Sequence, residues 1–218
     1  MAPALVNAAY MPTQNSITIP VGILRPPFFD AERPNSMNYG AIGAVIGHEI
    51  THGFDDQGAQ FDKIGNLVNW WTKETEKNFA DGSQCFVNQY GSIIDKQTNK
   101  ILNGVNTQGE NIADNGGVRQ AFNAFQSYSK RNPLISKIPY MNKFSHEQMF
   151  FLGYASVWCA HGRDQYIKSQ IDYDAHSPVR YRVNTVLQNF QSFADSFQCN
   201  TGTKMSPTEQ QQKRCTLW

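Results

Sequence analysis

Between Asn35 and Phe54 the apolar residues recur at helical spacing, with Ala41 and Val45 on one stripe and Ile42 and Ile46 on the next. Asn35 and Ser36 offer the N-cap. Gly40, Gly43 and Gly47 interrupt this pattern. Each interior glycine costs about 1 kcal/mol relative to alanine, so such a helix holds only where something packs closely against it. The pattern therefore predicts a buried central helix. Four further helices are predicted. They run from Thr72 to Tyr90, from Gly109 through Ser129 to the break at Asn132-Pro133, from Ser145 to His161 or beyond, and from Ser177 to Phe197. Ser145 and Gln148 form a capping-box pair, and Pro178 suits a first helical turn.

Two β-prone runs, Val6 to Tyr10 and Ser16 to Val21, flank the turn-rich Met11-Pro-Thr-Gln-Asn15 and predict a loose hairpin with an exposed edge, ended by Pro20. Ile23 to Pro34, with Pro26-Pro27, reads as an irregular ordered loop. Gly91 to Thr107 reads as loop with a short strand at Ile101-Leu-Asn. There is no internal repeat and no convincing linker, so the 218 residues predict one mostly helical domain.

Composition narrows the partners. Hydrophobic residues make up 40 % and there are 16 glycines, a globular share that excludes disorder as the ground state. Lys+Arg at 19 against Asp+Glu at 18 leaves a net charge of +1, too small a field to gather nucleic acid or anionic lipid. Charged residues reach only 17 %, and Asn and Gln supply much of the polarity. The densest apolar run, Met149 to Ala160, falls short of the roughly 18 residues that read as a membrane span, and is expected to be core. Met1-Ala-Pro-Ala-Leu-Val has neither the basic start nor the apolar length of a secretory signal. Cys85, Cys159, Cys199 and Cys215 show no C-x-x-C spacing and allow three pairings; a bridge fastening Cys215 near the end of the chain favours an oxidising compartment.

The chemistry concentrates in His48-Glu49-Ile50-Thr51-His52. On a helix the two histidines share a face, as gripping one ion requires, and Glu49 on the neighbouring stripe reaches a water at the metal without being a ligand. The bland alternative is two ordinary histidines in a core helix. Against it, His48 and His52 continue the Ala41/Val45 stripe and Glu49 continues Ile42/Ile46, and burying three ionisable groups unpaired costs several kcal/mol. Zinc is the expected partner, and a catalytic zinc keeps three protein ligands and an open position. Glu110 is the candidate third ligand. Asp114, four residues on, shares its face and can hold the second nitrogen of a ligand histidine. Taken alone, a Glu-x-x-x-Asp pair is also a common solvated face; the glycines at 104, 109, 116 and 117 argue against that here.

Several segments together resemble one family. Val6-Asn-Ala-Ala-Tyr10, Gly47-His-Glu-Ile-Thr-His-Gly-Phe-Asp-Asp56, Gly109-Glu-Asn-Ile-Ala-Asp-Asn-Gly-Gly117, Val157-Trp-Cys159, His176-Ser-Pro178 and the terminal Cys-x-x-Trp218 resemble the neprilysin and endothelin-converting-enzyme family of zinc metallopeptidases, in family order across nearly the whole chain. The resemblance implies a mainly α, thermolysin-like gluzincin catalytic domain with a small hairpin at the substrate cleft. It implies one zinc on His48, His52 and Glu110, Glu49 as general base, Asp114 behind a ligand histidine, and His176 stabilising the transition state. It further implies that Asn7 and Ala8 hold substrate backbone, that Arg182 meets a substrate carbonyl, and that Phe28, Val45 and Trp158 line the pocket beyond the cut. His146 and His161 acquire no role.

The same resemblance implies peptide substrates cut before bulky hydrophobic residues, and a secreted or type II membrane protein with a helical N-terminal lid half that is not among these residues. It pairs Cys85 with Cys215 and assigns Cys159 and Cys199 to cysteines of that half. Two rival expectations are a domain that keeps zinc and binds peptide without turnover, and a purely structural zinc bundle with a closed fourth position.

Overall fold

The computed structural model describes residues 1–133 and 141–217; Trp218 of the terminal motif lies outside the described residues. Near the start, β1 (Ala9–Met11) pairs antiparallel with β2 (Ser16–Thr18), with Ala9 opposite Thr18, Tyr10 opposite Ile17 and Met11 opposite Ser16. A single 3-10 turn, Pro12–Gln14, and Asn15 at φ 43° make the reversal, a left-handed position that asparagine tolerates. The Tyr10 hydroxyl donates to Asn15 Oδ1 at 2.9 Å, and Asn15 Nδ2 donates to the Lys63 carbonyl. The ladder is shorter than the sequence pattern predicts, since Val6 and Asn7 stay exposed ahead of it.

The glycine-bearing helix is continuous in space but changes pitch. α1 (Asn35–Asn38) passes into a π-helical turn, Tyr39–Gly43, then α2 (Ala44–Thr51), and closes in a 3-10 turn at His52–Phe54. α3 (Lys73–Gly91) starts where Thr72 Oγ1 accepts the Thr75 amide, and α4 (Gln108–Ser129) follows close to its predicted bounds. α5 (His146–Val157) has the expected capping box, Ser145 Oγ taking the Gln148 amide and Gln148 Oε1 taking that of Ser145. It stops before Cys159 and His161, because Trp158 leaves the helix and its ring lies under the Arg182 guanidinium. The predicted strand at Ile101 is a single bridge to Ile94.

Two helical assignments change. α6 (Asp164–Tyr173) is a helix that the pattern did not predict, since among its ten residues only Ile167 and Ile171 are buried. The single helix expected from Ser177 to Phe197 is two, α7 (Val179–Gln188) and α8 (Gln191–Ser196). They part at Asn189, whose side-chain amide is taken by Gln89 and Asn115 and whose Oδ1 accepts the Cys215 amide, and at Phe190, which is extended.

The glycines explain how these helices meet. A Cβ on Gly47 of α2 would lie 2.6 Å from the Gly117 carbonyl oxygen of α4, and a Cβ on Gly117 would lie 2.5 Å from the His48 amide nitrogen. The two backbones therefore touch. A second such crossing sets Gly40 against the Phe150 carbonyl and Gly153 of α5 against that of Met37. Around them, Phe122, Phe125, Phe150, Phe151 and Phe190 form one aromatic core, each ring contributing about 1.5–3 kcal/mol by burial. A second cluster gathers Phe86, Tyr90, Ile112, Ile167, Ile171 and Tyr181 and is fastened by the Cys85–Cys215 disulfide, which closes a loop of 130 residues. Cys159 and Cys199 are free.

One buried acid ties α7 to the loop before α4. Asp95 Oδ2 accepts the Tyr181 hydroxyl at 2.8 Å, while Oδ1 accepts the Thr98 hydroxyl and the amides of Gln97 and Thr98. Burial pushes this carboxyl up, but those donors outweigh it and hold it below the usual range.

Gly117→Ala forces the crossing apart and lowers stability by about 1–3 kcal/mol or more, read as a fall in thermal midpoint. Asp95→Asn costs about 1–2 kcal/mol at neutral pH. Because the folded carboxyl sits below its unfolded value of about 4, that contribution is whole above that value and is lost as pH falls through the folded one. Denaturant melts should therefore show parent and variant converging in acid, and a constant difference down to pH 2 refutes the assignment.

Candidate metal centre

The crossing of α2 on α4 sets the centre. His48 and Glu49 sit on the last turn of α2 and His52 opens the turn after it, while Glu110 and Asp114 occupy the first two turns of α4. His48 Nε2 lies 2.9 Å from His52 Nε2 and 3.1 Å from Glu110 Oε2, and His52 Nε2 lies 3.6 Å from the same oxygen. Each ring is held from behind: Asp114 Oδ1 is 2.8 Å from His48 Nδ1, and Asp55 Oδ2 is 2.6 Å from His52 Nδ1. A carboxylate at Nδ1 fixes the proton there and turns the Nε2 lone pair inward. Two ring nitrogens and a carboxylate oxygen then face one another, an arrangement that draws positive charge, from a proton or a metal cation.

The donor set fits zinc. Tetrahedral ligands at zinc distances stand about 3.3 Å from one another, within the spread of these three separations. Glu110 Oε2 is buried and faces the imidazole nitrogens of His48, His176 and His52 at 3.1, 3.2 and 3.6 Å. Burial would raise the Glu110 carboxyl, yet the facing imidazoles of His176 and His48 hold it far below the usual range. Burial would likewise lower His48, but Asp114 and Glu110 push it up to about 9. The cage thus draws positive charge whichever cation supplies it.

Glu49 is buried beside the cage, and that burial raises its carboxyl above the ordinary value, with His48 and His52 opposing. Asp114 is held low against burial by Arg182, whose Nε and Nη2 each donate to it at 2.7 Å. The Arg182 guanidinium lies 3.9 Å from the Trp158 ring centre, a cation–π contact that fixes its plane. Arg182 therefore faces Asp114 first, with Glu110 Oε2 at 4.0 Å.

A cleft of about 510 Å³ runs over the centre, and all twelve residues singled out in the sequence line it: Asn7, Ala8, Phe28, Val45, His48, Glu49, His52, Glu110, Asp114, Trp158, His176 and Arg182. Asn7 and Ala8 lie on the segment leading into β1. His176, on the loop between α6 and α7, has its Nε2 3.2 Å from Glu110 Oε2. His146 and His161 do not line the cleft.

Two acids went unassigned in the sequence. Asp55 was visible in the run Gly-Phe-Asp-Asp after His52, three residues on, where a carboxylate can reach a ligand histidine; its Oδ1 also accepts the amides of Gln57 and Gly58 and so shapes the turn. Asp174 Oδ1 accepts both the amide of His176 and its Nδ1–H, each at 2.8 Å, and the Asp-x-His spacing is its signal. Asp55→Asn keeps both amide acceptors and removes the charge behind His52. It is expected to weaken zinc binding about 10- to 100-fold in a chelator competition with little change in fold; unchanged affinity refutes the role.

Comparison with known proteins agrees with this geometry. The model of Peptidase family M13 matches residues 7–215. Neprilysin-1 of Caenorhabditis elegans is 50 % identical over 216 residues, covering 99 % of this chain and 28 % of that protein. Neprilysin of Homo sapiens is 48 % identical over 216 residues, with the same coverage of 99 % and 28 %. The chain thus spans less than a third of the length of these relatives. Among solved structures, the zinc metalloprotease Zmp1 of Mycobacterium tuberculosis, in complex with an inhibitor, superposes with a TM-score of 0.89 at 38 % identity, covering 98 % of this chain and 33 % of that one. With two imidazoles and a glutamate converging on one point, and a family model running across almost every residue, the chain belongs to peptidase family M13.

Proposed function

We propose that this chain carries the chemistry of a zinc-dependent endopeptidase that hydrolyses short peptides on the amino side of bulky hydrophobic residues. The observation that carries the reading is a buried carboxyl, Glu49, standing beside a three-donor cage inside an open cleft. Held by His48, His52 and Glu110, zinc supplies Lewis acidity toward a carbonyl and eases deprotonation of water. Glu49 accepts the proton from the attacking water and passes it to the leaving amine, a task suited to a carboxyl that burial has raised. His176, its ring turned by Asp174, donates to the carbonyl oxygen as charge develops there.

The substrate is aligned as an extended strand by Asn7 and Ala8 at the hairpin edge. Phe28, Val45 and Trp158 receive the apolar side chain beyond the cut, and Arg182, oriented by Asp114, stands beside that pocket. The Cys85–Cys215 disulfide supports an extracellular or cell-surface setting. Among the described residues no helix is long and apolar enough to cross a membrane. In the family's longer proteins a helical N-terminal half is the expected partner that closes over this cleft.

A second reading is that this domain binds zinc and peptide without turnover. Glu49→Gln separates the two. Kinetics on a quenched fluorescent peptide should show kcat falling by a factor of about 10³ or more, with zinc content unchanged, relative to an active parent. A variant as fast as the parent removes Glu49 from the mechanism, and a parent that binds peptide with no turnover establishes the second reading.

A further inference from the structure

His176 lies on a loop, and its side chain is 42 % exposed, yet it meets Glu110 Oε2 at 3.2 Å. The Asp174 side chain orients the ring but is 40 % exposed and, among the described residues, bonds only to His176 of the same loop, so it does not tie the loop to the rest of the fold. The anchors come from the residues around Glu110. Ahead of α4, Asn106 Nδ2 donates to the Asp174 carbonyl at 2.8 Å. From the first turn of α4, Asn111 Oδ1 accepts the Ser177 hydroxyl at 2.8 Å, and both residues are almost wholly buried, Asn111 at 1 % and Ser177 at 0 % exposure.

Asn111 is itself fixed. Its Nδ2 donates to Thr107 Oγ1 at 2.8 Å, and that hydroxyl donates to the Asn103 carbonyl. One amide thus has its acceptor committed to the loop and its donor committed to the turn that begins α4. Asn106 and Asn111 bracket Glu110 in sequence, while Asp174 and Ser177 bracket His176. Two hydrogen bonds therefore lock the loop on either side of the histidine to the chain on either side of the glutamate.

We propose that Asn106, Asn111 and Ser177 are positioning residues that clamp the 174–177 loop to the start of α4 and set where His176 stands over the cleft. The catalytic consequence rests on His176 meeting the substrate, as in the reading above; the clamp itself does not. A group aimed at developing charge acts only if it is already in place, and misplacement by about 1 Å can cost as much as 10²-fold in rate.

The test uses Asn106→Ala and Ser177→Ala in the full chain, each alone and in a His176→Ala background. Asn106 is exposed, so its variant keeps the fold and decides the matter if Ser177→Ala does not fold. With the zinc-loaded protein and a fluorogenic peptide, kcat is expected to fall about tenfold in each single variant, with KM and zinc affinity within about twofold of the parent. In the His176→Ala background neither substitution should lower kcat further; a loss that persists there means the residues act on stability alone and overturns the proposal. NMR of the imidazole Cε1–H of His176 in the zinc-free protein gives a reading that needs no turnover. One narrow signal in the parent and a broadened or doubled one in Asn106→Ala supports the clamp, and an unchanged signal overturns it. A parent without turnover defeats the peptidase reading and leaves the NMR result to judge the clamp.

Discussion

Everything at the centre depends on two polypeptide backbones touching where α2 crosses α4. With Gly47 against Gly117, no side chain separates the helices, and the register between them is set by main-chain atoms that do not adjust. Gly116 adds to this, since a Cβ there would lie 2.6 Å from the Thr51 side chain. A one-residue slip would carry Glu110 and Asp114 to another face. The helix-propensity cost of the glycines is offset by the placement it permits: three donor atoms from two helices within 4.8 Å of one another.

That placement creates an electrostatic problem that the surrounding residues resolve in layers. Two imidazoles and a buried carboxylate crowded this closely need positive charge among them, from a proton or a metal cation. Asp114 and Asp55 hold the rings so that the lone pairs cannot turn away. Asp114 is itself a buried charge, and the bidentate Arg182 compensates it, with the guanidinium plane set by Trp158. Asp114 and Asp55 thus each face a side chain able to carry the opposite charge, the condition under which buried carboxylates are tolerated in a low-dielectric interior. The zinc that the cage calls for is the remaining member of the series.

Much of this was legible in the chain. The histidines and glutamate extending apolar stripes marked the centre, the three glycines implied close packing, and Ser145 with Gln148 fixed a helix start. What escaped detection was decided by tertiary contacts. α6 buries only Ile167 and Ile171, four residues apart, too few positions to mark a helix by themselves. The break between α7 and α8 comes from Asn189, whose amide is claimed by residues up to 100 positions away. Asp55 and Asp174 carried local signals, lying three after His52 and two before His176, but an aspartate near a histidine becomes informative only when the ring's direction is known. The resemblance named Arg182 for a substrate carbonyl, and no spacing reveals that its nearest partner is Asp114.

The low charge content has a structural meaning as well. Among the described residues, the buried ionisable side chains that carry charge are His48, Glu49, Asp55, Asp114 and Arg182 at the centre, and Asp95 away from it. Elsewhere the interior is wired with neutral amides: Gln89, Asn189 and Asn115 bond in series, Asn115 reaches the Tyr90 hydroxyl, and Asn189 also accepts the amide of Cys215. Amides satisfy buried polar groups without setting up a field. Had acids and bases done this work, each would have perturbed Glu49, Glu110 and Asp114 over several ångströms of weakly screened interior. A neutral hydrogen-bonded frame lets the tie from the disulfide to the centre be rigid without being charged, so that the local potential is set by the cage and its own partners.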